Sequence, residues 1–279
     1  MSVAVFGLPH TGTSLLWDVL CHDPKHKRWL YEPLRQSVMD GHASLWRCEP
    51  EALAEVEHHY HPSMEFAPLI LRRGDECAPM RRYLRGVLGD PTESTCVKFI
   101  QMMTRLDWFL WDFEEFTPLV IVRDPRGFAW SMKPNPNRWT DPARYAWYDR
   151  FLWAAMTHPE THSRFYPVLT ENDYVKLLTI WGVAVAEAKE AGVPIMRLED
   201  FVVNPRSALS RALGTRGVPS GVGARIDGAS CNPGAQNRKW SGPVSADSVS
   251  GYQLIPSAMW SRYIDTADIR GVMGDVGYA

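Results

Sequence analysis

The stretch that most constrains the fold lies near the start of the chain, where an apolar run, a glycine-bounded turn and a helical pattern follow one another. Residues 3–6 read VAVF, residues 7–14 read GLPHTGTS, and apolar residues then recur at helical spacing from Leu15 to Leu20. A strand, a glycine loop and a helix in this order direct backbone N–H groups and the positive end of the helix dipole to one place. The stretch therefore predicts an anion-binding loop at the carboxyl end of a β-strand.

The loop keeps the glycines of a common phosphate-binding pattern but lacks its lysine. Gly7 and Gly12 have the spacing of the pattern G-x-x-x-x-G-K-[ST], and Thr13 stands where the lysine belongs. That lysine meets the β- and γ-phosphates of a nucleoside triphosphate. A loop that keeps the glycines without the lysine indicates a phosphate-bearing ligand that has no γ-phosphate.

Five short apolar runs predict β-strands, and helical patterns separate them. The runs cover residues 3–6, 29–31, 95–100, 119–122 and 193–198. This alternation predicts parallel βαβ units in an α/β fold, a three-layer α/β/α sandwich with a central parallel sheet. Residues 173–191 predict an amphipathic helix that ends at Gly192. We expect a single domain over residues 1–279, with helical and loop insertions at about 41–92 and 133–172.

Polar residues stand at the carboxyl ends of the predicted strands. Glu32 follows the second strand, Lys98 lies in the third with Gln101 just beyond it, Arg123 follows the fourth and Glu199 the fifth. Ligands of parallel sheets bind beyond this edge. We therefore expect a carboxylate, several basic groups and the glycine loop to converge there.

Composition excludes some function classes. The chain has 279 residues, 45% hydrophobic and 22% charged, with a net charge of −2, so no general electrostatic attraction to nucleic acid is expected. No apolar run approaches the roughly 20 residues of a membrane span, and because the first predicted strand begins almost at Met1, we expect no signal peptide. The five cysteines (Cys21, Cys48, Cys77, Cys96 and Cys231) are odd in number and scattered. They indicate reduced thiols, and we expect a cytoplasmic protein with no membrane partner.

A second motif, LVIVRDPRGFAWS over residues 119–131, also indicates phosphate binding. Arg123 ends a buried strand, Pro125 suits the first turn of a helix, and Ser131 falls about two turns into it. A guanidinium fork and a hydroxyl so placed are able to hold one phosphate from two sides. The alternative is that Arg123 pairs with Asp124 or Glu199 while Ser131 bonds to its own helix.

Three features together resemble the sulfotransferases that use 3′-phosphoadenosine 5′-phosphosulfate (PAPS). The first is PHTGTS over residues 9–14, which is similar to that family's P-[KR]-S-G-T-[TS] loop. The second is RDPRGFAWS over residues 123–131, and the third is the basic segment NRKW over residues 237–240. The resemblance runs over nearly the whole chain and is weakest in the two insertions. Further matching segments are YEPL at 31–34, RLEDFVVNP at 197–205, and Trp240 with Gly277-Tyr278, similar to the family's EP, RYEDL…P and kW…GY motifs.

This resemblance implies the P-loop-like sulfotransferase fold of the bacterial and carbohydrate branch. It implies PAPS as donor, adenosine 3′,5′-bisphosphate (PAP) as product, no metal, and a hydroxyl or amine of a small molecule as acceptor. A natural product or a sugar-bearing metabolite is the expected acceptor, and the sequence carries no signal for the oligomeric state. The implied donor-binding residues are Pro9, His10, Thr11, Gly12, Thr13 and Ser14 for the 5′-phosphosulfate, and Arg123, Ser131, Arg238 and Lys239, with Trp240 beside them, for the 3′-phosphate.

The resemblance also implies catalytic roles. Glu32 is the expected base that takes the proton of the acceptor. His10 stands where the family has a lysine or arginine that neutralises the bridging oxygen, and an unperturbed histidine titrates near ~6.5. The role therefore falls to a charged His10, to Lys98 or to Lys239, unless His10 serves only to shape the loop.

Each catalytic candidate also has a structural alternative. Glu32 is able to pair with Arg35 or Arg28, and Lys98 with Asp124. For the whole chain, the alternatives are a P-loop kinase, which the missing lysine disfavours, and a non-catalytic nucleotide-binding protein. The aromatic insertion at 133–172 is the candidate acceptor lid.

Overall fold

The structure is a computed structural model. It describes residues 2–35, 58–65, 67–90, 92–132, 142–214, 222–223 and 251–278, with the backbone alone described for 142–149 and 251–252. All structural statements below refer to these residues.

Five parallel strands form one sheet, as the sequence predicts. They are β1 (Ser2–Phe6), β2 (Arg28–Tyr31), β3 (Thr95–Phe99), β4 (Phe116–Val122) and β5 (Ile195–Arg197). The order across the sheet is β2-β3-β1-β4-β5, and each pair of neighbours is parallel. The last two boundaries differ from prediction: β4 begins earlier, at Phe116, and β5 is shorter because Leu198 already starts a helix.

Helices connect the strands. In chain order they are α1 (Thr13–Leu20), α2 (Ala78–Leu88), α3 (Leu106–Asp112), α4 (Pro125–Met132), α5 (Pro142–Thr157), α6 (Pro159–Phe165), α7 (Asp173–Glu190), α8 (Leu198–Val203), α9 (Pro205–Leu213), α10 (Ser257–Thr266) and α11 (Arg270–Asp275). The predicted helix at 173–191 is confirmed as α7. The Asn172 side chain caps its start, and Gly192 follows it with a φ of +68°.

The sheet has a hydrophobic core on each face, which confirms the three-layer α/β/α sandwich. Alternate residues of β1 face opposite sides: Val3 and Val5 pack with α1, α8 and α9, while Ala4 and Phe6 pack with α2, α3, α4 and α7. Both faces of the central strands are therefore covered, which is why these strands read as continuous apolar runs.

The strand order creates a topological switch point, the crevice position of such sheets, at the carboxyl edge. After β1 the chain runs to α1 on one face, and after β3 it runs to α3 on the other. Because β1 and β3 are neighbours, their following segments diverge to opposite faces of the sheet at this edge. This is the place where parallel sheets bind ligands.

A buried histidine makes the stability of this fold sensitive to acid. His26 precedes β2 with its Nδ1 2.8 Å from Ser94 Oγ, and burial lowers its pKa to about 4. A histidine in the unfolded chain titrates near ~6.5. Above that pH His26 is neutral in both the folded and the unfolded chain. Between that pH and about pH 4, His26 binds a proton in the unfolded chain but not in the folded chain. The free energy of unfolding therefore falls as the pH is lowered through this window.

We expect His26→Asn, which keeps a polar atom toward Ser94, to reduce this acid sensitivity. Between pH 7 and 4.5 the free energy of unfolding of the wild type should fall by about 2–3 kcal/mol more than that of the variant. Urea unfolding at each pH measures the difference. The exposed His162 supplies the control, since His162→Asn should keep the wild-type pH dependence; equal slopes for His26→Asn and wild type would contradict the assignment.

Candidate active site

The glycine loop between β1 and α1 is a tight turn that requires its two glycines. A Cβ at Gly7 would lie 2.6 Å from Ile121 O and 2.7 Å from Thr11 Oγ1. Gly12 has a φ of +94°, and a Cβ there would lie 2.5 Å from Leu198 Cδ1. The loop is closed internally by the Thr11 hydroxyl, which donates to Leu8 O at 2.7 Å. The loop predicted from the sequence is therefore present and tightly packed.

The start of α1 offers donors to an anion. Gly12 is the N-cap residue and makes no side-chain capping bond to the first N–H groups of the helix. The first turn of α1 contains no acidic residue that would repel a negative ligand. The N–H groups of the first helical turn together with the helix dipole favour an anion at this point.

Lys98 brings to the loop the ammonium group that the loop itself lacks. Its Nζ lies 2.9 Å from Ser14 Oγ, at the first turn of α1, although Lys98 belongs to β3. The ring of Tyr31 lies 3.9 Å from the same Nζ, and the Tyr31 hydroxyl lies 2.8 Å from Ser14 Oγ. A hydroxyl and an aromatic face thus hold the ammonium beside the loop. The Lys98 side chain is 2% exposed.

Glu32 forms an ion pair with Lys98 in the same crevice. One carboxylate oxygen contacts Lys98 Nζ, and the other accepts from Arg35 Nη1 at 2.9 Å. The Glu32 N–H donates to Lys98 O at 2.9 Å, and Glu32 takes the left-handed backbone conformation, with a φ of +51°. Burial would raise the pKa of Glu32, but the charges of Lys98 and Arg35 outweigh it and hold that pKa below its usual value. Glu32 is therefore a carboxylate at neutral pH.

Two structural alternatives are resolved by these contacts. The predicted pairing of Glu32 with Arg35 is confirmed, whereas Arg28 pairs with Glu93 at 3.2 Å. The alternative that Lys98 reaches Asp124 is wrong, because Lys98 points into the crevice toward Glu32.

Arg123 comes from the other side of β1 and contacts the glycine loop. Its Nη1 donates to His10 O at 3.4 Å, and the residue is 9% exposed. His10 has a φ of +64°, so the backbone of this residue shapes the loop and orients its carbonyl. Asp124, one of the alternative partners of Arg123, forms an ion pair with Arg126 at 2.5 Å. Arg123 and the loop are thus brought together, as the sequence predicts.

The other predicted donor-binding residues have different outcomes. The Ser131 hydroxyl donates to Phe128 O at 2.8 Å, so the alternative that it bonds to its own helix is confirmed, and its contact with a phosphate stays a prediction. Arg238, Lys239 and Trp240 lie outside the described residues. In the expected acceptor lid, the side chains at 133–149 also lie outside the described residues. Phe151 of the same segment packs against Phe165 in the core.

Sequence reasoning did not assign Tyr31 a role in the site. The signal was present, because Tyr31 is the last residue of β2 and precedes Glu32, so it also lies at the carboxyl edge. Its position opposite Lys98 follows from the parallel register of β2 and β3, which pairs Tyr31 with Lys98. A register between two distant segments is not readable from either segment alone.

The described residues contain neither a metal-binding cluster nor a helix suited to a membrane. No group of three or more His, Cys, Asp or Glu residues is arranged to hold a metal ion there. No helix in the described part of the chain has the length and apolar character needed to cross a bilayer.

Comparisons with known proteins give a likeness of structure and none of sequence. No family model matches the sequence. No curated protein matches it significantly. Among solved structures, the chain is similar to the sulfotransferase domain of the olefin synthase of Synechococcus PCC 7002, with 12% identity, a TM-score of 0.48, and coverage of 96% of this chain and 94% of that one. A likeness of this strength assigns neither fold nor function, so both rest on the residues of this chain.

The buried ion pair gives a prediction for stability. Lys98→Met leaves Glu32 buried, with Arg35 as the remaining cation that contacts it among the described residues. We expect this substitution to lower the free energy of unfolding by about 2–4 kcal/mol. Lys98→Met combined with Glu32→Gln removes both charges, so the double variant should lose at least ~1 kcal/mol less than the sum of the two single losses. Chemical denaturation measures all four proteins.

The matched control for this cycle is the more exposed pair of Arg28 and Glu93, with side chains 15% and 45% exposed. Arg28→Met should cost about 1 kcal/mol or less. Strictly additive losses at Lys98 and Glu32 would contradict a coupled pair.

Proposed function

We propose that the protein is a sulfotransferase that uses PAPS as donor and a hydroxyl or amine of a small molecule as acceptor. The proposal rests on the sequence motifs and on one observation above all: Lys98 Nζ lies 2.9 Å from Ser14 Oγ and contacts Glu32. One ammonium group thus joins the anion loop to the candidate base. Loop, cation and carboxylate are the three groups that such a transfer requires.

The loop and α1 suit the 5′ end of the donor. The N–H groups at the start of α1 and the hydroxyls of Thr13 and Ser14 would hold the 5′-phosphate. Lys98 would place its charge beside the bond between phosphate and sulfate. A triphosphate-binding lysine within the loop is then unnecessary, because the ligand ends one group earlier.

Arg123 suits the 3′-phosphate. It approaches the loop from β4, on the opposite side of β1 from Lys98. A guanidinium binds a phosphate with two parallel hydrogen bonds. The hydrogen bond from Arg123 Nη1 to His10 O is 3.4 Å long and ends on an uncharged carbonyl, and a phosphate anion is a stronger acceptor for a guanidinium.

The chemistry is a transfer in one step. Glu32 takes the proton of the acceptor as the acceptor oxygen or nitrogen bonds to sulfur. The bond between sulfur and the bridging oxygen breaks, and Lys98 stabilises the negative charge that the bridging oxygen gains as part of PAP. Positioning and fixed positive charge supply most of the acceleration of such transfers.

Lys98 also links donor binding to the strength of the base. Two cations hold the pKa of Glu32 low. When Lys98 turns toward the donor, Glu32 keeps Arg35 but loses part of the attraction of Lys98, and its pKa rises. Glu32 is thereby a better proton acceptor when the donor is bound. A general base of this kind contributes ~10²–10⁴-fold to the rate.

Nucleotide binding tests the donor. We expect PAP at a hundredfold excess over its Kd to raise the Tm by about 5 °C or more, and ATP with Mg²⁺ to raise it much less. Differential scanning fluorimetry measures both. A larger shift with ATP and Mg²⁺ would favour a kinase, and binding of PAP without consumption of PAPS with any acceptor would favour a non-catalytic nucleotide-binding protein.

Variants of Lys98 and His10 test which residue neutralises the bridging oxygen. We expect Lys98→Met to lower kcat by about 10²-fold or more while PAP still binds, because its charge acts on the transition state. His10→Asn keeps a residue that tolerates a positive φ and should lower kcat less than about tenfold. Release of PAP from PAPS with a panel of alcohols and amines measures both; the reverse ranking would assign the role to His10.

A further inference from the structure

The backbone around Arg123 is held from two sides by distant side chains. Trp181 Nε1 donates to Arg123 O at 3.0 Å. Glu199 Oε1 accepts from the Asp124 N–H at 2.9 Å, and Glu199 Oε2 accepts from the Tyr278 hydroxyl at 2.5 Å. The Glu199 carboxylate therefore bridges Tyr278 to the backbone of the residue that follows Arg123.

These bonds matter because the sheet no longer fixes the chain at this point. β4 ends at Val122, which pairs with Arg197 in β5, so Arg123 and Asp124 lie beyond the last ladder position. Among the described residues, side chains supply the bonds to Arg123 O and Asp124 N that the sheet supplies to earlier residues. The direction in which the Arg123 side chain leaves the strand depends on this backbone.

Tyr278 is itself firmly held. It is 6% exposed, its ring meets the ring of Trp181 edge-on at 6.1 Å, and the Arg197 guanidinium lies 5.3 Å over it. Arg197 also donates to Gly277 O. Burial and the charge of Glu199 raise the pKa of Tyr278, so its hydroxyl keeps its proton and donates to the carboxylate.

We propose that Tyr278 is a positioning residue for Arg123. Acting through Glu199, it fixes the strand end from which Arg123 reaches the glycine loop, and so sets the affinity for the 3′-phosphate of the nucleotide. Tyr278 touches neither the reacting atoms nor the phosphate. This inference rests on the proposed function, in which Arg123 binds that phosphate.

Two ligands separate positioning from a general loss of structure. PAP carries the 3′-phosphate and adenosine 5′-monophosphate lacks it, so the ratio of their Kd values reports the 3′-phosphate alone. Isothermal titration calorimetry gives this ratio for wild type, Tyr278→Phe, Arg123→Met and the double variant. Tyr278→Phe keeps the packed ring and removes the hydroxyl.

We expect Tyr278→Phe to reduce the preference for PAP by about fivefold to tenfold, the size of the loss of one typical hydrogen bond, with less than about twofold change for the monophosphate. In the Arg123→Met background, which has lost the preference, Tyr278→Phe should have no further effect on the ratio. Glu199→Gln is the second variant, and it should reduce the preference in the same way. Tyr263→Phe, in a half-buried tyrosine of α10 stacked on Tyr174, is the control and should keep the wild-type ratio.

The outcomes distinguish the two proposals. A wild type with no preference for PAP overturns the proposed function and this inference with it. A preference that Arg123→Met abolishes but Tyr278→Phe and Glu199→Gln leave unchanged overturns the positioning role alone. Equal weakening of both ligands by Tyr278→Phe also overturns it, because a merely structural role would act on both.

Discussion

The arrangement of the site depends on one buried ion pair, between Lys98 of β3 and Glu32 after β2. Transferring charges from water into a protein interior costs several kcal/mol for each ion, and an ion pair recovers this only with good geometry and further hydrogen bonds. Here Arg35 pairs with the second carboxylate oxygen, while the hydroxyl of Ser14 and the ring of Tyr31 contact the ammonium. Because apolar side chains would stabilise such a place at least as well, the pair indicates function more than stability.

The strand order explains how residues far apart in the sequence meet. Lys98 and Arg123 stand on opposite sides of β1, and the glycine loop leaves β1 between them. Each cation has its Cα at or beside a paired strand, which holds it more precisely than a loop would. A shift of β3 by one residue would turn Lys98 to the other face of the sheet, so the packing of the two cores also fixes the position of its ammonium group.

Local sequence patterns are sufficient to predict the strands, the glycine loop and the convergence of polar residues at one edge. Those patterns are the apolar runs, the spacing of Gly7 and Gly12, and the fact that parallel strands end at the same edge. The partner of Lys98 could not be predicted, since 66 positions separate it from Glu32 and only the register of β2 with β3 brings them together. The hydroxyl of Ser131 shows the same limit, because a serine in a helix has an acceptor in its own backbone three positions earlier.

The proposed function requires a chain of net charge −2 to bind a highly charged anion, and the positions of the cations indicate how it would do so. Net charge acts at long range and is screened within about 10 Å at ordinary ionic strength. The cations of the site, by contrast, would act on a ligand at contact distance. They are buried, and electrostatic attraction in a buried place is much stronger than in water. Arg35 pairs with the second oxygen of Glu32, so in the proposed function Lys98 would be able to turn its charge toward the loop without leaving Glu32 unpaired. Affinity in such a site depends on where a few cations are held, and the overall composition of the chain neither provides it nor prevents it.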